Sequence, residues 1–278
     1  MHKRLKGKNM KVTALMENTS GHAGCIGEFG LSFLVEANGR IVLFDAGQSA
    51  ATVRNAEVLG IDLAQVDAAV LSHGHFDHAN GLPAFLELND QAMVYARVGY
   101  DGDQYADHGE GGIEYIGVVP ELKDNARVKV VDEARLELGD GFTIVSYAES
   151  VPIYPIEHFG LYRDEGAGRE PDQFKHEQCL LVEEGDVRLL MTGCTHRGIR
   201  NCMSWSAADA PTHVIGGFHF MKVPLEDSAY LDAAADDLLS YPAMYYTCHC
   251  TGMNQYRYLK ERMGTRLAYI AAGQSIEL

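Results

Sequence analysis

Four side chains able to ligate a metal ion occupy six consecutive positions in Leu71-Ser72-His73-Gly74-His75-Phe76-Asp77-His78. Neutral imidazole and carboxylate suit Zn²⁺, Fe or Mn²⁺. The loop leaves an apolar run directly, so His73 and His75 can turn towards one ion while Asp77 and His78 turn towards a second. Metal held this way lowers the pKa of bound water towards neutrality and makes a hydroxide nucleophile for a phosphate ester, a carbonyl or a related electrophile. A chance histidine cluster in a polar loop is the bland rival, and the position straight after a strand speaks against it.

The elements that must hold this loop are legible as short apolar runs between turn residues. Strands are expected at 12–15, 31–35, 41–44, 68–71, 142–145, 180–182 and 189–191. The clearest helical stripe is Leu225, Ser228, Leu231, Ala235 and Leu238, with Asp227, Asp232, Asp236 and Asp237 largely off it; Pro224 suits its first turn and Pro242 follows its end. Shorter helices are expected at 50–59, stopped by Gly60, and at 252–262, stopped by Gly264 and carrying Tyr256, Leu259 and Met263 on one side. The Gly- and Asp-rich stretch 101–112 reads as a loop. Asp45-Ala46-Gly47-Gln48-Ser49 is echoed by Ala272-Gly273-Gln274-Ser275, a short repeat that two similar halves, or chance, would leave.

With no linker-like segment, the chain of 278 residues reads as a basic, disordered extension over 1–9 followed by a single domain over 10–278. A hydrophobic fraction of 46% against 22% charged residues is that of a folding, globular chain. Four of the 23 basic residues (Lys3, Arg4, Lys6, Lys8) fall in the first ten positions, so nineteen remain against 39 acidic residues from Met10 onward. Such a body repels phosphate backbones, and no nucleic-acid partner is expected. No apolar stretch approaches a bilayer span and no secretory core follows the basic start, so a cytoplasmic protein without a membrane partner is expected. Six sparse cysteines without a C-x-x-C pair argue against a disulfide scaffold. Oligomeric state is left open.

His73, His75, Asp77 and His78 match in full the H-x-H-x-D-H motif of the metallo-β-lactamase superfamily, which this sequence resembles. Phe44-Asp45-Ala46-Gly47 is similar to that superfamily's upstream strand end, whose Asp supports the metal loop; on turn chemistry alone, Asp45 and Gly47 also fit a plain turn. A narrower resemblance covers almost the whole chain. Gly30 to Glu36, Asp45 to Ser49, Ser72 to His78, Thr192 to Ile199, Gly216 to His219 and His249 to Gly252 are similar to 7,8-dihydropterin-6-methyl-4-(β-D-ribofuranosyl)aminobenzene-5′-phosphate synthases. The resemblance implies an α/β fold, an αββα sandwich with metals at one edge between its sheets.

Within that frame His196 and His249, each after a strand-like run, are expected to be the third ligand of the first metal and a ligand of the second, with His158 the rival of His196. The commoner superfamily pattern has a metal-bridging Asp after Gly193, where this chain has Cys194. Cys194 is read as a small buried residue behind the ligands, ahead of a thiolate ligand or a redox-sensitive position. His219 after paired glycines is a substrate contact or proton donor as readily as a structural residue. Arg197 is a substrate-anion contact or a surface ion pair. Cys248 and Cys250, alternating with His249, are expected to face away from it. His22, His108, His176 and His213 carry no assignment.

These readings combine into a metal-dependent hydrolase-like enzyme with two divalent ions, zinc first and iron or manganese as alternatives. Asp77 is expected to be both ligand and orienter of the hydroxide, and the substrate small, phosphorylated or pterin-like. The rivals are a di-iron redox enzyme of the same fold, whose motif usually has Glu where this chain has His75, and a non-catalytic metal-binding sensor.

Overall fold

The strands alternate which core they feed, and that alternation decides the layering. The computed structural model of the protein describes residues 9–226 and 228–278; the basic extension up to residue 8 and Asp227, expected off the helical stripe, lie outside the described residues. One sheet is built from β1 (Lys11–Met16), β2 (Ser32–Ala37), β3 (Arg40–Phe44), β4 (Ala68–Leu71), β5 (Met93–Arg97), β8 (Val128–Val131) and β18 (Ser275–Glu277), in the spatial order β18-β1-β2-β3-β4-β5-β8. The other contains β9 (Arg135–Gly139), β10 (Phe142–Val145), β13 (Cys179–Glu184), β14 (Val187–Met191), β15 (His213–Gly216), β16 (Met244–Thr247) and β17 (Leu267–Tyr269), in the order β17-β16-β15-β14-β13-β10-β9.

Phe33 and Val35 of β2, with Val42 and Phe44 of β3, enter one apolar cluster with Leu189 and Met191 of β14, so this cluster is the filling between the sheets. Leu34 and Leu43, one residue out of step, join Ala56, Leu82 and Phe85 on the outer face. Leu190 does the same with Met203, Leu231, Leu238 and Leu259 on the far side. The outer helices are therefore α1 (Ala51–Val58) and α3 (Leu82–Leu88) over the first sheet, and α5 (Ile199–Trp205), α6 (Ser228–Ser240) and α7 (Met253–Met263) over the second. Each fully buried Leu, Val or Phe contributes about 1.5–3 kcal/mol, which drives the two sheets together. The result is the expected αββα sandwich.

Two readings need correction. The stretch 101–112 is not merely a loop, since β6 (Asp103–Asp107) lies in it and pairs with β7 (Ile113–Tyr115) and β11 (Leu161–Asp164); β11 also pairs with β12 (Arg169–Pro171), completing a small third sheet. Its Asp and Gly content hides a strand that buries only Gln104 and Ala106. Leu225 lies ahead of α6 and is exposed, so the buried stripe is Leu231, Ala234, Ala235 and Leu238. The echoed Ala272 to Ser275 runs between β17 and β18, bridging from one sheet to the other, whereas Asp45 to Ser49 lies between β3 and α1.

Parallel pairing is concentrated where the site lies. Strands β3, β4, β5 and β8 are parallel neighbours, as are β14, β15, β16 and β17. Their C-terminal ends and the loops that leave them form one rim, the usual ligand-binding edge of parallel sheets.

Candidate metal centre

Each sequence-predicted donor sits beyond the C-terminal end of a strand. His73 follows β4, Cys194 and His196 follow β14, His219 follows β15 and His249 follows β16. His75 caps the short helix α2 (Phe76–Ala79), which carries Asp77 and His78. Sharp backbone turns aim these side chains: Asp45, Thr195, His219 and His249 adopt φ of 58, 54, 51 and 50°. Left-handed conformations are uncommon for residues other than glycine and cluster where function over-determines them. Gly74 between the first two histidines is obligatory, because a Cβ there would run into the Tyr100 carbonyl oxygen.

Three histidine nitrogens converge at a first position. His73 Nε2 lies 3.1 Å from His75 Nδ1 and 3.2 Å from His196 Nε2. Tetrahedral zinc with bonds near 2.0–2.1 Å sets its nitrogens about 3.3 Å apart, so the spacing fits. The protons also fit. Ser72 Oγ donates to Asp45 Oδ2 and is thereby left to accept from His73 Nδ1 at 2.8 Å, which leaves His73 Nε2 bare. Burial, reinforced by the surrounding histidines, pushes His73 and His196 well below the ordinary imidazole value. Burial and His176 carry His75 down to about 3. Three neutral rings gathered in this way can hold a cation.

A second position gathers Asp77, His78 and His249. His249 Nε2 is 3.1 Å from Asp77 Oδ2 yet has no hydrogen-bond partner, so both atoms aim at a common point beside them. His78 Nδ1 donates to Asp45 Oδ2 at 2.7 Å, and His249 Nδ1 donates to Asn18 Oδ1 at 2.8 Å; each bond turns Nε2 inward. Burial alone would lower His78, but the Asp77 and Asp45 carboxylates raise it to about 9. Burial works against Asp77 ionising, but His78 and His249 hold its carboxyl well below the usual range. The expected support from Asp45 thus takes the form of four contacts: Oδ1 accepts from Ser72 N, Oδ2 accepts from Ser72 Oγ and His78 Nδ1, and the Asp45 carbonyl accepts from Ser32 Oγ.

Cys194 lies among the candidate donor atoms rather than behind them. Its Sγ is 3.1 Å from His78 Nε2 and shares a potential donor group with His73 and His78. His219 stands beside it, its ring 4.2 Å from His196, half-buried and with neither nitrogen partnered. His158 is not part of the cluster: its Nδ1 donates to the Asp172 carbonyl at 2.6 Å and its ring stacks on Phe174. Arg197 donates to the carbonyls of Ser150 and Gln173 and lies over Trp205, an arrangement that fastens the 150 segment and is neither a surface ion pair nor a free charge for an anion. Gly216 and Gly217 give room to protein atoms, Thr192 Oγ1 and Cys250 Sγ, rather than to a ligand.

Sequence reasoning missed the braces behind the loop. His176, fully buried, accepts from Gly74 N through Nδ1 and donates to Asp172 Oδ2 through Nε2. Burial opposes ionisation of Asp172, but His176 holds it at about 2. Glu177 accepts from the backbone N–H groups of His196 and Arg197, and burial outweighs those bonds to raise it to about 7. Glu17 accepts from His249 N and from Tyr269 Oη. Isolated single letters carry no spacing signal, so nothing in the sequence pointed to them. His22, His108 and His213 pair locally with Cys25, Glu114 and Thr212.

Two sheets face to face, helices outside and a histidine, carboxylate and thiol cluster on the shared rim define the class: an αββα sandwich with a built metal-donor site. The sequence profile of the metallo-beta-lactamase superfamily matches residues 26–198, and the chain belongs to that superfamily. An uncharacterised protein of Methanocaldococcus jannaschii is 29% identical over 87% of this chain and 90% of its own length. From the same organism, 7,8-dihydropterin-6-methyl-4-(beta-D-ribofuranosyl)-aminobenzene-5'-phosphate synthase is 26% identical over 98% of both. Among solved structures, a metal-dependent hydrolase of the beta-lactamase superfamily superposes with a TM-score of 0.80 at 27% identity, covering 97% of this chain and 99% of that one. No described helix is long and apolar enough to cross a membrane.

Proposed function

We propose that the protein is a metal-dependent hydrolase-like enzyme acting on a small, phosphorylated or pterin-like substrate, with His73, His75 and His196 holding one divalent ion and Asp77, His78 and His249 a second. The observation that carries this reading is the meeting of three ring nitrogens at 3.1 and 3.2 Å, with a hydrogen-bonded chain behind His73 that fixes its tautomer. When bound, a divalent ion, zinc first and iron or manganese as alternatives, supplies Lewis acidity and lowers the pKa of an attacking water. Asp77 orients that water by accepting its hydrogen bond. His219, beside His196 with both nitrogens buried and unpartnered, is placed to pass a proton to the leaving group. Phe29 packs against the His249 ring and Phe159 against the His219 ring.

The acidic body favours a small substrate over a polyanion, and the pterin-related name of one relative favours that ring system. The test is metal analysis of the purified protein together with turnover of a panel of phosphoesters and phosphorylated pterins. Efficient cleavage of tRNA precursor or DNA, without activity on small esters, would overturn the substrate class. A metal-binding sensor is the second reading, favoured by the burial of the donors, none of which exceeds 5% exposure. Tight metal binding with no turnover across the panel would select it.

A further inference from the structure

Strict strand alternation would turn Cys250 away from His249, yet the two end up in one donor group. The φ of 50° at His249 and the single turn of 3₁₀ helix over His249–Thr251 bring the thiol back. Cys194 Sγ, Cys250 Sγ and a ring nitrogen of His249 all lie within 4.8 Å of one another. The turn is pinned on every side: Thr251 N donates to the Cys248 carbonyl, Met221 N to the Cys250 carbonyl, and Phe218 N to Thr251 Oγ1. Gly217 is the residue that makes the space, since a Cβ there would collide with Cys250 Sγ. His249 Nε2, buried and without a partner, faces the same region.

We propose that Cys250 acts with Cys194 as a second sulfur donor to the metal position served by Asp77 and His249, making that position thiolate-rich. The proposal rests on the reading that the cluster holds metal. Charge supports it. Two dications in a buried cleft repel each other, and where a shared carboxylate is absent, anionic sulfur from Cys194 and Cys250 supplies the opposing charge. As each sulfur–metal bond forms, the S–H proton leaves to solvent. Soft sulfur donors also select Zn²⁺ or Cd²⁺ over Mn²⁺ and Mg²⁺ at this position.

The experiment is cobalt titration of the metal-free full chain, reading visible bands for Co²⁺ binding and the near-ultraviolet band for sulfur-to-cobalt charge transfer. Cys250→Ser should lower the charge-transfer band by about half, as one of two sulfur donors is lost. Replacing Cys194 and Cys250 together should remove it, while Cys202→Ser leaves it unchanged. X-ray absorption of the zinc-loaded, unaltered protein should count sulfur neighbours and needs no variant. Full charge-transfer intensity in folded Cys250→Ser, or a zinc spectrum without a second sulfur, overturns the proposal. If cobalt binds with visible bands but no charge transfer, the sulfur proposal fails and the metal-site reading stands. If no cobalt binds at all, both fail.

Discussion

Asp45 Oδ2 and His78 Nδ1 lie 2.7 Å apart with both side chains wholly buried. The same oxygen receives Ser72 Oγ, so one carboxylate sets the proton positions of His78 and, through Ser72, of His73. Asp45→Asn keeps the shape and loses the charge. It should weaken metal binding by roughly 10–100-fold, the usual penalty for losing a partner behind a ligand. Calorimetric metal titration measures this, and unchanged affinity would mean that Asp45 only shapes a turn.

Removing a proposed direct ligand is expected to be more severe. His73→Ala takes away the nitrogen that both His75 and His196 face, and His78→Ala opens the second position. Each should lower the metal-to-protein ratio, and the double variant should abolish stoichiometric metal. A purified, folded double variant with the unaltered ratio would disprove the assignment.

His219 offers a different split. Its nitrogens are free and its ring borders the first position, so His219→Ala should reduce turnover by roughly 10²–10⁴-fold while metal content stays constant. Loss of metal in step with activity would make His219 a ligand instead, as its grouping with Cys194 and His196 allows.

Glu177 predicts a pH signature in the metal-free protein. Burial raises its carboxyl from 4.5 to about 7. A raised folded-state value contributes stability that is complete below about 4.5 and lost as pH rises through about 7, because the unfolded chain ionises first. Between pH 5 and 8 the melting temperature of the unaltered protein should therefore fall further than that of Glu177→Gln. Parallel melting curves for the two would show that this carboxyl does not titrate in the window.

Much of the candidate centre was readable because its donor residues share a simple rule of placement: an apolar run, then a donor. His73, His196 and His249 all obey it; β2, β3 and β14 were legible as near-continuous apolar runs, which mark strands covered on both faces without saying which face is which, so the sandwich was legible through the family resemblance. Cys250 broke the reading because alternation assumes extended backbone, and the φ of His249 reverses the side. His176 was invisible because its partner, Gly74, is 102 residues away and offers only a backbone N–H. The small third sheet was hidden by exposure, since Ile113–Tyr115 and Arg169–Pro171 are exposed throughout and carry no burial pattern.

The hydrogen bond from His249 to Asn18 joins residues 231 positions apart, and Glu17 beside Asn18 holds the His249 backbone as well. At about 5–20 residues per second, a ribosome delivers Asn18 roughly 10–50 s before His249. The H-x-H-x-D-H loop emerges early in that interval, so a nascent chain displays half a chelating cluster before the other half exists. Maturation of the second position is thereby tied to completion of the chain, and a product truncated before His249 lacks both that histidine and the edge strand β18 of the first sheet.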